Sequence, residues 1–282
     1  MLRFVFLAQA LLILSSLGFE GPSEFTRMAP SQVPSLEVTY IANEGFLVSV
    51  GEDKLLLDAL HENPWGYANT PIEIREMMAK QEVPFQGIDL LVASHPHADH
   101  FSPGLVYSFL RQNPNVSFAA TTATMELLQD STGAGLQTVK DQLREINPPW
   151  GESETLPVGE KGEARFLTTN HMTEGQTPYL TLATLAKIGG RTILHLADLF
   201  PPTSIHFLEG YGLEKENIDV LFADPWFVMS QEGQHLIRDV IRPNDLILMH
   251  IRPDDWEEQK DEVMAIWPDV VVFQEPLERR VF

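Results

Sequence analysis

The sequence contains no cysteine. Disulfides, thiolate metal ligands and thiol nucleophiles are therefore excluded. Basic side chains are scarce: 19 Lys and Arg stand against 40 Asp and Glu, a net charge of −21. A chain this acidic repels the phosphate backbone, whose capture depends on Lys and Arg, so no nucleic-acid partner is expected. Three catalytic patterns are also missing: the Gly-x-Ser-x-Gly elbow, the Walker A run and Gly-x-Gly-x-x-Gly. Without them, a metal-activated water is the remaining candidate nucleophile. The chain shows no repeat period, low-complexity tract or heptad pattern.

Long apolar runs are equally rare. The one near the start covers residues 4–14 and is broken only by Gln9. Arg3 is the only charge before Glu20, and Ser16 and Gly18 place small side chains three residues and one residue before a cut after Gly18. This is the pattern of a secretory signal peptide over residues 1–18, too short for a comfortable membrane span. An uncleaved N-terminal anchor is the alternative. Residues 19–35 read as a Pro/Ser/Gly linker. The expected location is secreted or periplasmic, with no stable membrane span after signal removal. Nothing in the sequence specifies the oligomeric state.

From residue 36 the chain reads as globular, with 44% hydrophobic residues to build a core. Residues 36–41, 45–50 and 54–57 read as three strands in meander order, with Asn43-Glu44-Gly45 as the first turn. Thr70-Pro71-Ile72-Glu73 looks like a capping box opening a helix to about residue 81. A strand at 90–93, a helix at 102–112, a strand at 116–120 and helices at 122–129 and 136–146 follow. Pro148-Pro149-Trp150-Gly151 marks a crossover between two halves of one domain. The second half resumes with strands at 164–169, 180–186 and 192–196, the last two joined by a Gly189-Gly190 hairpin turn. Strands at 219–222, 246–249 and 270–273 and helices at 233–241 and 254–266 complete it. Strand runs followed by mixed helix and strand, twice over, imply two sheets flanked by helices.

The chemistry concentrates in Ser-His-Pro-His-Ala-Asp-His, residues 94–100. His95, His97, Asp99 and His100 lie directly after the short apolar run at 90–93, on the loop leaving its carboxyl end. Imidazole and carboxylate are donors that Zn, Mn or Fe(II) accept. In an extended stretch His95 and His97 point to one side and serve one ion, while Asp99 and His100 turn away toward a second. Four donors cannot fill two sites. His171, Asp198 and His250 each follow a predicted strand in the same manner and complete the candidate set.

This stretch resembles the signature of the metallo-β-lactamase-fold hydrolases, and the resemblance extends from about residue 36 to 273. It implies an α+β, four-layer αββα sandwich of two mixed sheets, with residues 36–282 forming the hydrolase domain. It further implies two divalent ions, zinc above manganese or iron. His95, His97 and His171 would hold one ion, Asp99, His100 and His250 the other, and Asp198 would bridge them. The family often places an aspartate where Asp58 ends a strand, orienting a ligand from behind. His195, alternating with Leu194 and Leu196, reads as either such a support or a core group. Arg252, two residues after His250, reads as a contact for an anionic substrate group or as a surface charge. The absence of cysteine departs from the broad-spectrum β-lactamases of this fold. The pattern looks closer to the branch that includes an ascorbate-phosphate lactonase.

The expected function is hydrolysis of a small-molecule ester, lactone, amide or phosphodiester, with Asp99 as the catalytic carboxylate. An iron-dependent oxygenase on the same fold and a non-catalytic metal- or ligand-binding protein are the alternatives. The N-terminal reading is testable by itself. Sequencing the N-terminus of exported protein should return Phe19 as the first residue, and soluble cytoplasmic protein that retains Met1 would contradict export.

Overall fold

A computed structural model describes residues 34–171, 179–199 and 208–282. The expectations for residues 1–18, and for the linker before residue 34, lie outside the described residues. Two seven-stranded sheets carry the structure. The first has the order β14-β1-β2-β3-β4-β5-β6, from β1 (Leu36–Ala42), β2 (Gly45–Val50), β3 (Asp53–Leu57), β4 (Leu90–Ala93), β5 (Ser117–Thr121), β6 (Leu143–Ile146) and β14 (Arg279–Val281). The second runs β13-β12-β11-β10-β9-β8-β7, from β7 (Ser153–Val158), β8 (Gly162–His171), β9 (Tyr179–Ile188), β10 (Arg191–His195), β11 (Val220–Ala223), β12 (Asp245–Leu248) and β13 (Val271–Val272). Each half opens with an antiparallel meander and continues in parallel strands: β3 to β6 in one, β10 to β13 in the other.

The two-residue period of a strand explains the layers. Leu90 and Val92 point into the core between the sheets, while Leu91 and Ala93 point outward to the helices. Both faces of β4 are buried, so it reads as an unbroken apolar run. The outer face of the first sheet is covered by α1 (Ile72–Ala79), α2 (Pro103–Gln112) and α3 (Thr122–Thr132), through Ile74, Met78, Val106, Phe109, Leu110 and Leu128. The second sheet is covered by α4 (Pro225–Met229), α5 (Gln231–His235) with a wider helical turn after it, and α6 (Pro253–Ile266). Three apolar layers between four layers of structure make the αββα sandwich. No helix among the described residues is long and apolar enough to cross a membrane.

Several local expectations are corrected. Residues 136–146 are not one helix. Two short 3₁₀ turns, Gly133–Thr138 and Lys140–Gln142, lead into β6, which pairs in parallel with β5. The Gln142 amide donates to the Leu110, Asn113 and Val116 carbonyls, and the open edge of β5 takes the residues that follow. Tertiary partners override helix propensity here. The capping box at α1 does not form. The Thr70 hydroxyl donates to the Ala59 carbonyl and accepts from the His61 amide, tying the helix entrance to the chain after β3. Helix α6 starts at Pro253, with Asp254 and Asp255 in its first turn where the helix dipole favours acids. Strands β7 and β14 escape the sequence pattern because each lies at a sheet edge, where Pro157 and the Arg279–Arg280 pair are tolerated.

Phe46 is fully buried and meets the Phe222 ring at 4.8 Å across the two sheets, with Phe273 at 5.7 Å. Phe46→Ala should therefore cost about 3–5 kcal/mol by loss of transfer energy and creation of a cavity. Urea denaturation of metal-free protein measures it, and a cost under about 1 kcal/mol, the scale of a surface substitution, would mean that the sheets do not pack as described.

Candidate metal centre

The parallel halves bring strand ends to one edge of the sandwich. Asp58 follows β3, residues 94–100 follow β4, His171 ends β8, Asp198 lies just beyond β10 and His250 just beyond β12. Four non-glycine residues around these ends have left-handed backbone: Asn43 (φ 49°), Asp58 (39°), Ala197 (53°) and His250 (55°). Such conformations cost roughly 1–3 kcal/mol each and persist where surrounding structure enforces them. The loop after β4 is pinned from several sides. The His97 carbonyl accepts from the His100 and Phe101 amides, Asn43 Nδ2 donates to the Asp99 carbonyl, and the Leu182 amide of the second sheet donates to the Ser94 carbonyl.

Two groups of donors result. In the first, His95, His97, His171 and Asp198 place ligand atoms within 4.8 Å of one another. The Nε2 atoms of His95 and His171 each lie 3.8 Å from Asp198 Oδ2. In the second, His100 Nε2 lies 3.2 Å and His250 Nε2 3.4 Å from the other oxygen, Asp198 Oδ1. Asp99 joins this group, with Oδ2 3.1 Å from His250 Nε2 and Oδ1 3.8 Å from His100 Nε2. The structure thus brings together the seven residues singled out in the sequence, with one carboxylate between two sets of imidazoles.

The remaining ring nitrogens are held from behind. Asp58 accepts from the Ser94 amide (2.7 Å), the Ser94 hydroxyl (2.6 Å) and His100 Nδ1 (2.9 Å). Since the Ser94 hydroxyl donates to Asp58, its lone pair accepts from His95 Nδ1 at 3.0 Å. His171 Nδ1 donates to the Asp198 carbonyl at 2.8 Å. In all three imidazoles Nδ1 carries a proton, and Nε2 is the nitrogen turned toward the cluster. Asp58 is therefore a supporting residue for two histidines at once.

These residues fit a metal centre by their own geometry. His95 Nε2, His100 Nε2, Asp99 Oδ1 and Asp198 Oδ1 are buried polar atoms with no hydrogen-bond partner. Unsatisfied buried polar atoms are rare, and four of them spread over the two adjoining donor groups call for cations. The electrostatics agree. Burial, then the neighbouring His100, holds His95 well below the usual imidazole range, so it stays neutral and able to coordinate. Burial and His171 lower His97 likewise. Burial alone would raise Asp198, but His250 and His100 hold its carboxyl well below the usual range. His100 moves the other way: burial opposes its charge, yet Asp198 and Asp58 outweigh that and raise it well above the ordinary value, so its Nε2 carries a proton that a bound cation would displace.

His195 does not join the donors around Asp198. It is buried, and its Nε2 donates to the Glu44 backbone carbonyl at 3.2 Å. Arg252 reaches the neighbourhood of the site. Its guanidinium lies 5.0 Å from the centre of the Tyr67 ring and 3.9 Å from Asp255. Tyr67 and Trp226 flank His250 at 4.1 and 4.8 Å between ring centres, and with Arg252 they line a pocket of about 270 Å³. Trp65 meets the His97 ring at 6.0 Å. None of these aromatics was singled out in the sequence, because each belongs to a loop or helix start with no motif of its own. Among the other histidines, His61 is buried and donates to the Ala42 carbonyl, His235 is exposed beside Asp239, and His206 lies outside the described residues.

Sequence comparison finds no matching family model and no matching curated protein. Comparison with solved structures does find relatives in shape. Igni18, a metallo hydrolase from the archaeon Ignicoccus hospitalis, superposes with a TM-score of 0.57 at 18% identity, covering 88% of this chain and 98% of its own. The metallo-β-lactamase fold protein YhfI from Bacillus subtilis matches with the same score and identity, over 88% of this chain and all of its own. CmlA, a diiron β-hydroxylase from Streptomyces venezuelae, matches at 0.56 and 16% identity, over 88% of this chain and 54% of its own. The chain has the metallo-β-lactamase fold.

Asp58→Asn should loosen both supported imidazoles. The stability cost should be about 1.5–3 kcal/mol, the worth of a charged buried hydrogen bond, with a 10–100-fold loss of metal affinity. Denaturation of the metal-free protein and metal titration read the two effects separately, and unchanged affinity would mean that Asp58 does not position the cluster.

Proposed function

We propose that this chain is a metal-dependent hydrolase with a dinuclear centre, exported from the cell, and acting on a small-molecule ester, lactone, amide or phosphodiester. The observation that carries this reading is Asp198, whose two oxygens each face a separate set of imidazoles. His95, His97 and His171 would hold one ion, Asp99, His100 and His250 the other, and Asp198 would bridge them. Zinc suits this donor set, and manganese and iron are compatible with it. Two bound dications would supply a water acidified to near-neutral pKa and a Lewis acid for the substrate oxygen.

The protein's own residues supply the rest. Asp99 is rigidly placed, with its carbonyl held by Asn43 and its carboxylate against His250. From there it can orient the attacking water and carry its proton to the leaving group. His97 and His171 are the partly exposed members of the first group, so substrate would approach over them. Arg252 offers a positive charge in an otherwise acidic molecule, and Tyr67 and Trp226 offer aromatic faces beside His250. This combination suits a substrate with an anionic group and an apolar or planar body.

A second reading has a specific observation in its favour. CmlA shares the fold and is a diiron β-hydroxylase. Elemental analysis of the purified protein, followed by a panel of lactone, ester, amide and phosphodiester substrates on the same sample, separates the two. Hydrolysis with two ions per chain supports the first reading. Bound iron with oxygen consumption and no hydrolysis supports the second.

Asp198→Asn keeps the volume and removes the charge that offsets repulsion between two dications. The variant should fold, retain the ion of His95, His97 and His171, and lose much of its affinity for the other. Hydrolysis should fall by at least about two orders of magnitude, because a well-placed electrostatic group is worth roughly 3–4 kcal/mol in the transition state. If Asp198 only shapes a turn, the substitution should cost about 1 kcal/mol of stability and leave the metal content unchanged. Metal content and melting temperature on one preparation decide between them.

A further inference from the structure

Asn43-Glu44-Gly45 reads in the sequence as an ordinary turn, where an acid should face water. The structure does the opposite: Glu44 is 0% exposed. An ionised carboxylate in such a place is costly unless a cation answers it. Among the described residues no Lys or Arg forms an ion pair with it, and no N–H group donates to either carboxylate oxygen; the hydrogen bond open to it is with another acid, Asp198, and needs a proton between them. Its neighbours make isolation worse, because Asp198, Asp58 and Asp224 all act on it with like charge. Glu44 Oε1 lies 3.8 Å from His250 Nε2 and Oε2 lies 3.6 Å from His100 Nδ1, both too long for hydrogen bonds. With His100, Asp198 and His250 it forms a wholly buried group whose ligand atoms lie within 4.8 Å of one another.

The backbone around Glu44 is held in place for this arrangement. A Cβ on Gly45 would sit 2.8 Å from the Ala42 carbonyl oxygen and 2.9 Å from the Ala59 Cα, so only glycine lets the β1–β2 turn press against the end of β3. Asn43 takes left-handed backbone just before it. His195 donates to the Glu44 carbonyl, and Phe46 anchors the other side in the core between the sheets. A buried acid that no Lys or Arg answers, on a tightly fixed turn and grouped with two histidines and an aspartate, is the geometry of a ligand.

Resting on the dinuclear reading above, we infer that Glu44 is a ligand of the ion held by Asp99, His100 and His250. The two sites then differ in kind. The first offers three imidazoles and one shared carboxylate. The second offers three carboxylates and two imidazoles, a harder, oxygen-rich set that favours Mn(II) or Fe(II) relative to the first. Charge balance points the same way. Two dications bring four positive charges into a buried space, and Glu44 raises the carboxylates answering them from two to three. His195 becomes a positioning residue that acts through the Glu44 backbone.

Metal-free wild-type protein and Glu44→Gln are titrated with Mn(II), free ion being followed by its electron paramagnetic resonance signal, and ion content is then checked by elemental analysis. Wild type should take two ions. Glu44→Gln should keep one and bind the second at least about 100-fold more weakly, more than the loss of a merely supporting group. Urea denaturation without metal should show the variant no less stable than wild type, since it replaces a desolvated acid whose neighbours are other acids. Glu44→Asp, which keeps the charge on a shorter arm, should bind the second ion with intermediate affinity, and it serves equally if Glu44→Gln does not fold. Two ions of unchanged affinity in these variants would overturn the role of Glu44 and leave the dinuclear reading intact. A wild-type protein that never takes a second ion would overturn both.

Discussion

Asp198 presents one oxygen to His95 and His171 and the other to His100 and His250, and the rest of the molecule is arranged so that this double contact can exist. The residues come from both sheets. Their convergence requires that β3, β4, β8, β10 and β12 all end at one edge, which the meander-then-parallel pattern of each half supplies. The central core between the sheets holds the two halves in register, with Phe46 against Phe222 beneath the site and the Leu182–Ser94 backbone bond beside it. A small slip between sheets would separate Asp198 from the loop after β4.

Holding such a cluster together is costly in the isolated chain. Charged and polar residues crowd a dry space, four backbone positions are left-handed, and several nitrogen and oxygen atoms have no partner. Proteins tolerate these features where they serve a site. Asp58 is the main compensation: it orients His100 directly and His95 through Ser94, and His100 in turn lowers the carboxyl of Asp58 against the effect of burial. One supporting acid thus fixes the Nδ1 side of two histidines, so that their Nε2 atoms face the cluster.

The electrostatics divide the site. The group around His95 and His97 is held neutral and opens toward solvent through His97 and His171, whereas the group around His100 and Glu44 is sealed and rich in acids. The aromatic rings of Tyr67 and Trp226 lie against His250, at the border of the second group.

Much of this was legible in the sequence. His95, His97, Asp99 and His100 stand in one short stretch after a fully apolar run, and local spacing is enough to mark them as a ligand loop. His171, Asp198 and His250 were legible by context, each a polar residue at the end of an apolar strand. The two-sheet architecture followed from alternation and turn residues. What the sequence could not supply was anything set by distance across the fold. Residues 136–146 became turns and an edge strand because Gln142 met three carbonyls of a distant segment. Thr70 capped no helix because its hydroxyl met Ala59 instead. Glu44 read only as part of a turn, since nothing local distinguishes an acid facing water from one folded against His100 and His250. Local chemistry decided which residues could bind a metal. Only the packing of one sheet against the other decided which of them meet, because burial and orientation are properties of neighbours far away in the chain.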